Sequence, residues 1–140
     1  AKLDEAKKKR VEVASRNSIR VLSGALARVQ NLYARVEARI NKIEASGTVL
    51  ADAKIKLAEA KVLWDAAKVK VDGLEADAKV ALESETPIKS FETFRLHASE
   101  AKDGIKATHS EIVEAIASIK TAAPAASVTH EATTSVQVTQ

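Results

Sequence analysis

The sequence predicts an all-α protein, in which three long antiparallel helices form a slender coiled-coil bundle that is followed by an extended C-terminal tail. Three observations support this fold class. Residues with good helix propensity dominate the composition, among them 27 alanines. Only two segments with helix-breaking residues interrupt residues 1–121, at 46–47 and at 84–87. Between them, apolar residues recur at alternating steps of three and four, which is the spacing of a helix seam.

The predicted helices cover residues 3–45, 48–83 and 87–121. Gly47 suits the left-handed conformation that commonly follows a helix, and Thr48 is predicted to cap the second helix with its hydroxyl. Thr86 and Pro87 predict the start of the third helix, because proline fits the first helical position. Pro124 then prevents the third helix from continuing.

Each predicted helix carries one continuous apolar seam. The seam positions are Ile19, Leu22, Leu26, Val29, Tyr33, Val36, Ile40 and Ile43; Leu50, Ala53, Leu57, Ala60, Trp64, Ala67, Val71, Leu74, Ala78 and Ala81; and Phe91, Phe94, Ala98, Ala101, Ile105, Thr108, Ile112, Ala115 and Ile119. A sustained seven-residue repeat requires a left-handed supercoil, and short connections make neighbouring helices antiparallel. Because alanine occupies many seam positions, we expect the helix axes to approach closely.

The second predicted helix has a further apolar stripe on the side opposite its seam, called the outer stripe below. It consists of Ile55, Val62, Ala66, Val69, Gly73, Ala76 and Val80. A helix with two apolar faces must be covered on two faces. Two interpretations stay open: the first and third helices cover the outer stripe within one chain, or a second copy of the chain covers it. Left exposed, the stripe would exceed the apolar patches that are usual on monomers.

Residues 122–140 differ in composition from the bundle. An Ala- and Pro-containing linker leads to a segment rich in Thr, Ser and Val, and residues 135–140 alternate polar and apolar side chains as β-strands do. Since one isolated strand is not stable, this tail is either disordered alone or added as a strand to a neighbouring copy. In the second case Val136 and Val138 are candidate interface residues.

Few residues suggest chemistry. The chain has no cysteine, which excludes disulfides, thiolate metal sites and cysteine nucleophiles. The histidines, His97, His109 and His130, lack a second histidine at helical ligand spacing. The four glycines lie too far apart for a phosphate-binding loop, and no serine nucleophile motif is present. We therefore expect no metal, no cofactor and no enzymatic activity, and no apolar run is long enough for a transmembrane segment.

The few aromatic residues fit the bundle. Trp64 lies on a seam, which is more typical of a buried anchor than of a residue that stacks on a ligand. We expect Tyr33 to face Trp64 across the antiparallel pair of helices. Phe91 and Phe94 are predicted to fill the end of the bundle at which the third helix begins.

Charge is unevenly distributed along the chain. Residues 1–47 carry eleven Lys or Arg against five Asp or Glu, a net charge of +6, whereas residues 48–86 have a net charge of −2. On the first helix, Arg28, Arg35 and Lys42 recur at seven-residue intervals along one side. Such a row suits contact with an anionic surface such as an acidic envelope polymer, a lipid or a nucleic acid. Alternatively, it is a solvated face that pairs in part with the acidic second helix. Without base-stacking aromatics we expect no specific nucleic-acid binding.

Four stretches together resemble a known kind of protein: RVEARINKIEASG (35–47), LAEAKVLWDAAK (57–68), SETPIKSFETF (84–94) and IKATHSEIVEAIASIK (105–120). They are similar to uncharacterised small secreted helical coiled-coil proteins of small-genome bacteria, in which a basic helix, an Ala/Lys/Glu helix and a Pro-started helix precede a Thr-rich tail. The resemblance implies export after signal cleavage and transfers no functional residues. The absence of Cys and Met and the Thr/Ser-rich tail also favour export. The start at Ala1 is compatible with signal removal, with trimming of the initiator Met or with an arbitrary boundary.

These features lead to one functional hypothesis and one alternative. The hypothesis is a non-enzymatic, exported structural subunit at the cell surface or outside it, which assembles with copies of itself into an extracellular filament or surface array. Its expected interface residues are Ile55, Val62, Ala66, Val69, Ala76, Val80, Val136 and Val138. The alternative is a monomeric helical binding module whose basic first helix holds an anionic surface through Arg28, Arg35 and Lys42.

Overall fold

The computed structural model describes residues 2–123, with side chains from residue 5 onward, and these residues form long helices joined by short turns. The helices are α1 (Lys2–Ala45), α2 (Ala51–Asp72), α3 (Leu74–Glu83) and α4 (Pro87–Ala122). Gly73, between α2 and α3, keeps right-handed helical backbone angles. Its N–H donates to the carbonyl of Val69, and its carbonyl accepts from Asp77, both at 3.1 Å. The two helices therefore form one nearly continuous rod, the α2–α3 rod, and the predicted all-α fold of three packed helices is confirmed.

The α2–α3 rod and α4 run antiparallel along the bundle. Lys56 Nζ lies 2.9 Å from Glu114 Oε1, and Lys70 Nζ lies 3.0 Å from Glu100 Oε1. Residue numbers thus rise along the rod while they fall along the facing part of α4. This contact is the most extensive one between helices in the described part of the chain.

The predicted seams form the hydrophobic core. Every seam position is buried except five that are half-buried, namely Ile19, Tyr33, Trp64, Phe91 and Ala98. The half-buried positions still pack against the core cluster. A period of three and four residues therefore identifies the inward side of all three helical rods, because only one side of each can face both neighbours.

Alanines bring the rod and α4 close together, as predicted. Ala60, Ala67, Ala101 and Ala115 are all buried in the core. At Gly104 on α4, a methyl group in place of hydrogen would lie 3.1 Å from Cβ of Ala67. This distance is shorter than an ordinary carbon–carbon contact, so the two backbones approach as closely as their side chains permit.

Trp64 is an anchor between helices, as predicted. Its indole Nε1–H donates to the backbone carbonyl of Leu26 on α1 at 3.0 Å. Tyr33 borders the same small cleft as Trp64. Burial raises the pKa of the Tyr33 hydroxyl, and the negative charge of Glu37 adds to this effect. Packing between α1 and α2 therefore explains the positions of both the Trp64 and the Tyr33 side chain.

The start of the second helix differs from the prediction. The helix begins after Leu50, and Thr48 does not cap it. Instead, Glu44 near the end of α1 accepts the Leu50 N–H on Oε2 at 3.1 Å, and its Oε1 lies 3.2 Å from Lys54 Nζ. Gly47 in the intervening turn has the predicted left-handed conformation, with a φ of 107°. A carboxylate from the preceding helix therefore replaces the expected hydroxyl.

This arrangement makes stability depend on the ionisation of Glu44. The hydrogen bond from Leu50 is the main cause that lowers the pKa of Glu44. Burial opposes it in part, and the contact with Lys54 lowers the pKa further. A lowered carboxyl pKa stabilises the fold above the ordinary value of 4.5, and the contribution is lost as pH falls through the folded-state pKa. We expect Glu44→Gln to unfold at lower urea concentration than the wild type at pH 7, with the difference shrinking as the pH falls below the ordinary value of 4.5.

The exposed Glu75 provides the control, because Glu75→Gln should change the urea midpoint little at either pH. If Glu44→Gln matches the wild type at pH 7, Glu44 does not cap α2.

The start of the third predicted helix is confirmed at Pro87, with Thr86 in the position before it. The Thr86 hydroxyl, however, makes no capping hydrogen bond. Ser84 Oγ accepts the Thr86 N–H at 3.0 Å, and the Ser90 hydroxyl donates to the same oxygen at 2.6 Å. The hydroxyls of Ser84 and Ser90 thus stabilise this turn, whereas the sequence predicted that the Thr86 hydroxyl would cap the helix.

Candidate self-association surface

The outer stripe lies on the solvent side of the α2–α3 rod. The exposed fractions of its large side chains are 55% for Ile55, 68% for Val62, 72% for Val69 and 65% for Val80. The alanines of the stripe are exposed too, and Gly73 is half-buried. The interpretation that α1 and α4 cover the outer stripe within one chain is therefore wrong. Both helices pack against the seam side of the rod instead.

Charged residues on the two flanks of the rod explain this arrangement. On one flank, Lys56, Lys70 and Asp77 each contact a charged or ionisable side chain of α4. On the other flank, Lys54 pairs with Glu44 of α1. Each neighbouring helix thus covers the seam and meets one flank. The outer stripe, between the flanks and opposite the seam, is left uncovered.

His97 has Glu100 three residues further along the same helix, but it pairs with a residue of another helix. His97 Nδ1 lies 2.7 Å from Asp77 Oδ2 of α3, whereas Glu100 pairs with Lys70. Within the described residues, no group of three or more His, Asp or Glu side chains is arranged to hold a metal ion. His130 lies outside the described residues, as do the tail candidates Val136 and Val138.

Two carboxyl groups meet where α2 faces α4, a feature that the sequence pattern did not predict. Glu111 interacts with Glu59, and Oε2 of Glu111 is buried without a hydrogen-bond donor. The hydrogen bond with Glu59 is the main cause that raises the pKa of Glu111, burial adds to it, and nearby Lys56 opposes it.

A raised carboxyl pKa disfavours the folded state at neutral pH, and the penalty disappears as pH falls through the folded-state pKa towards the ordinary value of 4.5. We expect Glu111→Gln to be more stable to urea than the wild type at pH 7, by a margin that shrinks near about pH 4.5. Glu114→Gln is the control with opposite sign, because it removes the ion pair with Lys56. A Glu111→Gln variant that is less stable than the wild type at pH 7 would contradict an unfavourable contact between the carboxyl groups of Glu59 and Glu111.

The basic row on α1 is exposed. Arg28, Arg35 and Lys42 all lie on the surface, and none of them takes part in an ion pair among residues 5–123. The ion pair that joins α1 to α2 has its acid, Glu44, on α1 and its base, Lys54, on α2. The expected pairing of the basic row with the acidic second helix is therefore not found.

Sequence reasoning missed a second apolar surface, a groove of about 630 Å³ between α1 and α4. The side chains that line it include Val21, Leu22, Ala25, Ile105, Lys102 and Lys106. Val21 and Ala25 lie beside the α1 seam rather than on it. Only the positions of these two apolar residues in the sequence could have indicated the groove. The seam pattern alone does not show whether a residue next to the seam lines a groove or faces solvent.

No protein-family model, curated protein or solved structure matches this chain. None of the helices within residues 2–123 has an apolar stretch long enough to cross a membrane. The described fold and surface define the class of protein: an antiparallel three-helix coiled-coil bundle with an uncovered apolar stripe along its middle rod.

Proposed function

We propose that this chain is a non-enzymatic, exported structural subunit that assembles with copies of itself through the outer stripe. The observation that carries the proposal is the exposure of Ile55, Val62, Val69 and Val80 on one side of a nearly continuous rod. From Val62 to Val80 the stripe alternates steps of four and three, which is the a/d spacing of a coiled-coil seam. Seams of this spacing bury their side chains against another helix.

The energy available from the outer stripe supports reversible association. Full burial of a Val side chain is worth about 1.5–3 kcal/mol, and Val69 and Val80 of two copies together supply four such exposed side chains. Association itself costs about 4–15 kcal/mol in lost freedom of motion. The two quantities are of similar size, so we expect a concentration-dependent equilibrium between free and associated chains.

The test places charges on the outer stripe. In the variant Val69→Lys with Val80→Lys, two lysines would have to be buried without partners, so we expect association to be lost. The matched control is Val13→Lys with Val113→Lys, which changes the net charge equally at two exposed valines away from the stripe. Light scattering at one high protein concentration should give an average mass above 14.9 kDa for the wild type and the control, and 14.9 kDa for the stripe variant.

Circular dichroism must show equal helix content in all three proteins, so that the comparison concerns the surface and not the fold. Equal masses for the stripe variant and the wild type would overturn the proposal. A loss of association in the control as well would assign the effect to added charge instead of the outer stripe.

Export and the form of the larger assembly are further parts of the proposal. The absence of Cys and Met, the Thr/Ser-rich tail and the resemblance to small secreted coiled-coil proteins support a location outside the cell. A filament or a surface array is the expected form. Electron microscopy of material from the outside of the producing cells tests both parts, and finding the chain only inside the cells would overturn the location.

The basic row favours a second candidate function, a module that holds an anionic surface. Arg28, Arg35 and Lys42 are exposed without ion-pair partners among residues 5–123. Binding to vesicles with anionic phospholipid should fall steeply with added salt, and changing all three residues to Glu should abolish it. Equal binding to neutral vesicles would contradict this function. The matched control changes the exposed Lys89, Lys106 and Lys120 of α4 to Glu, which alters the net charge equally away from the basic row and should lower binding much less.

A further inference from the structure

We infer that two copies of the chain pair through their outer stripes in an antiparallel, two-fold symmetric register, with Val69 of each copy opposite Val80 of the other and Gly73 opposite Ala76. The inference rests on the proposed function, since it specifies how the part of the outer stripe from Val69 to Val80 is covered. Ile55 and Val62 lie beyond the paired segment. Three observations carry it: the spacing of the stripe, the order of charges along its flanks and the small residues at its centre.

The spacing allows only a few registers. Ala66, Gly73 and Val80 occupy one of the two core positions of the seven-residue repeat, and Val62, Val69 and Ala76 occupy the other. In an antiparallel pair, each residue of the first set meets one of the second set across the interface, so registers differ by whole heptads. The inferred register is the one in which Gly73 and Ala76 meet twice about the two-fold axis.

The flanking charges of the inferred register are complementary. It brings Asp72 of one copy beside Lys79 of the other, and Lys70 beside Asp77. The two-fold axis repeats both contacts, so four pairs of opposite charge flank the interface and no pair of like charge does. Within one chain, Asp72 already pairs with Lys68, and Lys70 with Glu100, each from an exposed position that leaves room for a second partner. Lys79 takes part in no ion pair among the described residues.

Other registers place like charges together. A shift by one heptad that sets Gly73 against Val69 brings Asp72 beside its own counterpart and Lys70 beside its own counterpart. It also brings Asp65 beside Lys79 twice, so two pairs of like charge offset two pairs of opposite charge. A parallel pair in register brings Asp72 beside Asp77 twice, and these like charges offset the two contacts that it makes between Asp65 and Lys70. Like charges across an interface disfavour the wrong arrangement more strongly than exposed ion pairs stabilise the right one.

The centre of the inferred interface is also the narrowest part of the stripe. Gly73 and Ala76 have the smallest side chains available, so the two rods can approach closely there. Larger side chains, Val69 and Val80, close the interface at both ends of this central region. The backbone stays helical through Gly73, so the stripe is continuous across it.

A two-fold pair closes on itself, because each copy uses the same surface. The outer stripe in this register therefore yields a dimer. A filament of such dimers requires a second contact on another part of the chain.

Disulfide cross-linking tests the register, since the chain has no cysteine of its own. Three single variants are used: Val62→Cys, Val69→Cys and Val80→Cys. They are oxidised alone and in mixtures of two, and in each mixture one variant carries a mass tag so that the mixed disulfide can be recognised. Under mild oxidation we expect the mixture of Val69→Cys with Val80→Cys to form the mixed disulfide several-fold faster than any variant alone. Lys79→Asp should slow this reaction, and adding Asp72→Lys should restore it.

The outcomes separate the register from the proposed function. Fastest linkage of Val69→Cys to itself indicates a parallel pair, and fastest linkage of Val62→Cys with Val80→Cys indicates the shifted antiparallel register. Either result, or association without linkage between positions 69 and 80, overturns the register and leaves self-association intact. No cross-link in any mixture, together with a mass of 14.9 kDa for the wild type at every concentration, overturns both.

Discussion

Phe94→Ala is expected to destabilise the fold more than any other single change considered, by about 3–5 kcal/mol. Phe94 is only 1% exposed, and its ring stacks on that of Phe91 with centroids 4.7 Å apart. Both rings lie in the first turns of α4, where they were predicted to fill the end of the bundle. Many residues of the core are alanines, whose short side chains cannot fill the space that the ring leaves. Urea unfolding followed by circular dichroism measures the loss.

Phe91→Ala is the matched control for this prediction. Phe91 is half-buried at the edge of the core, and Arg95 lies over its outer face at 5.9 Å. Removal of this ring should cost clearly less than removal of the Phe94 ring. If the two variants unfold at the same urea concentration, the bundle end depends on the stacked pair as a unit, and the assignment of Phe94 as its main anchor is wrong.

Gly104→Leu is expected to separate the α2–α3 rod from α4. A Cβ at position 104 would already lie 3.1 Å from Cβ of Ala67, and its next contact would be with the backbone Cα of Ala67 at 3.7 Å. The remaining atoms of a leucine side chain have no space there, and overpacking of this kind costs about 1–3 kcal/mol, occasionally more. The loss should exceed the gain of about 1 kcal/mol from replacing glycine within a helix. The thermal midpoint should therefore fall.

Gly24→Leu is the control, with the same substitution in another long helix. A Cβ at position 24 would meet only the Arg28 side chain, at an ordinary contact distance of 3.5 Å. Helix propensity should then dominate and raise the thermal midpoint slightly. If both variants change stability in the same direction, the close approach of the rod to α4 at Ala67 is not what makes position 104 restrictive.

Much of the fold could be predicted from the sequence because it depends on local patterns. The seams at steps of three and four identified the buried side of every helix, and Gly47 and Pro87 marked a helix end and a helix start correctly. Thr48 was assigned wrongly because capping depends on which group reaches the free N–H. Glu44 reaches Leu50 only after the turn has brought α1 and α2 together.

The candidate surface could be predicted only in part. The residues of the outer stripe were identified from spacing, but the sequence does not determine whether two neighbouring helices lie on opposite sides of the middle rod or on the same side. The structure places α1 and α4 on the same side, which leaves Val62 and Val69 exposed. The facing carboxyls of Glu59 and Glu111 were missed for a similar reason, because they belong to separate helices that only the tertiary packing brings together.

The average mass of the wild-type chain as a function of concentration tests the central claim most directly. Sedimentation equilibrium from about 1 µM to about 500 µM covers the range in which an interface of this modest energy should associate. The outer stripe predicts a reversible rise from 14.9 kDa towards twice that mass or beyond. A mass that stays at 14.9 kDa across the whole range would contradict self-association through this surface.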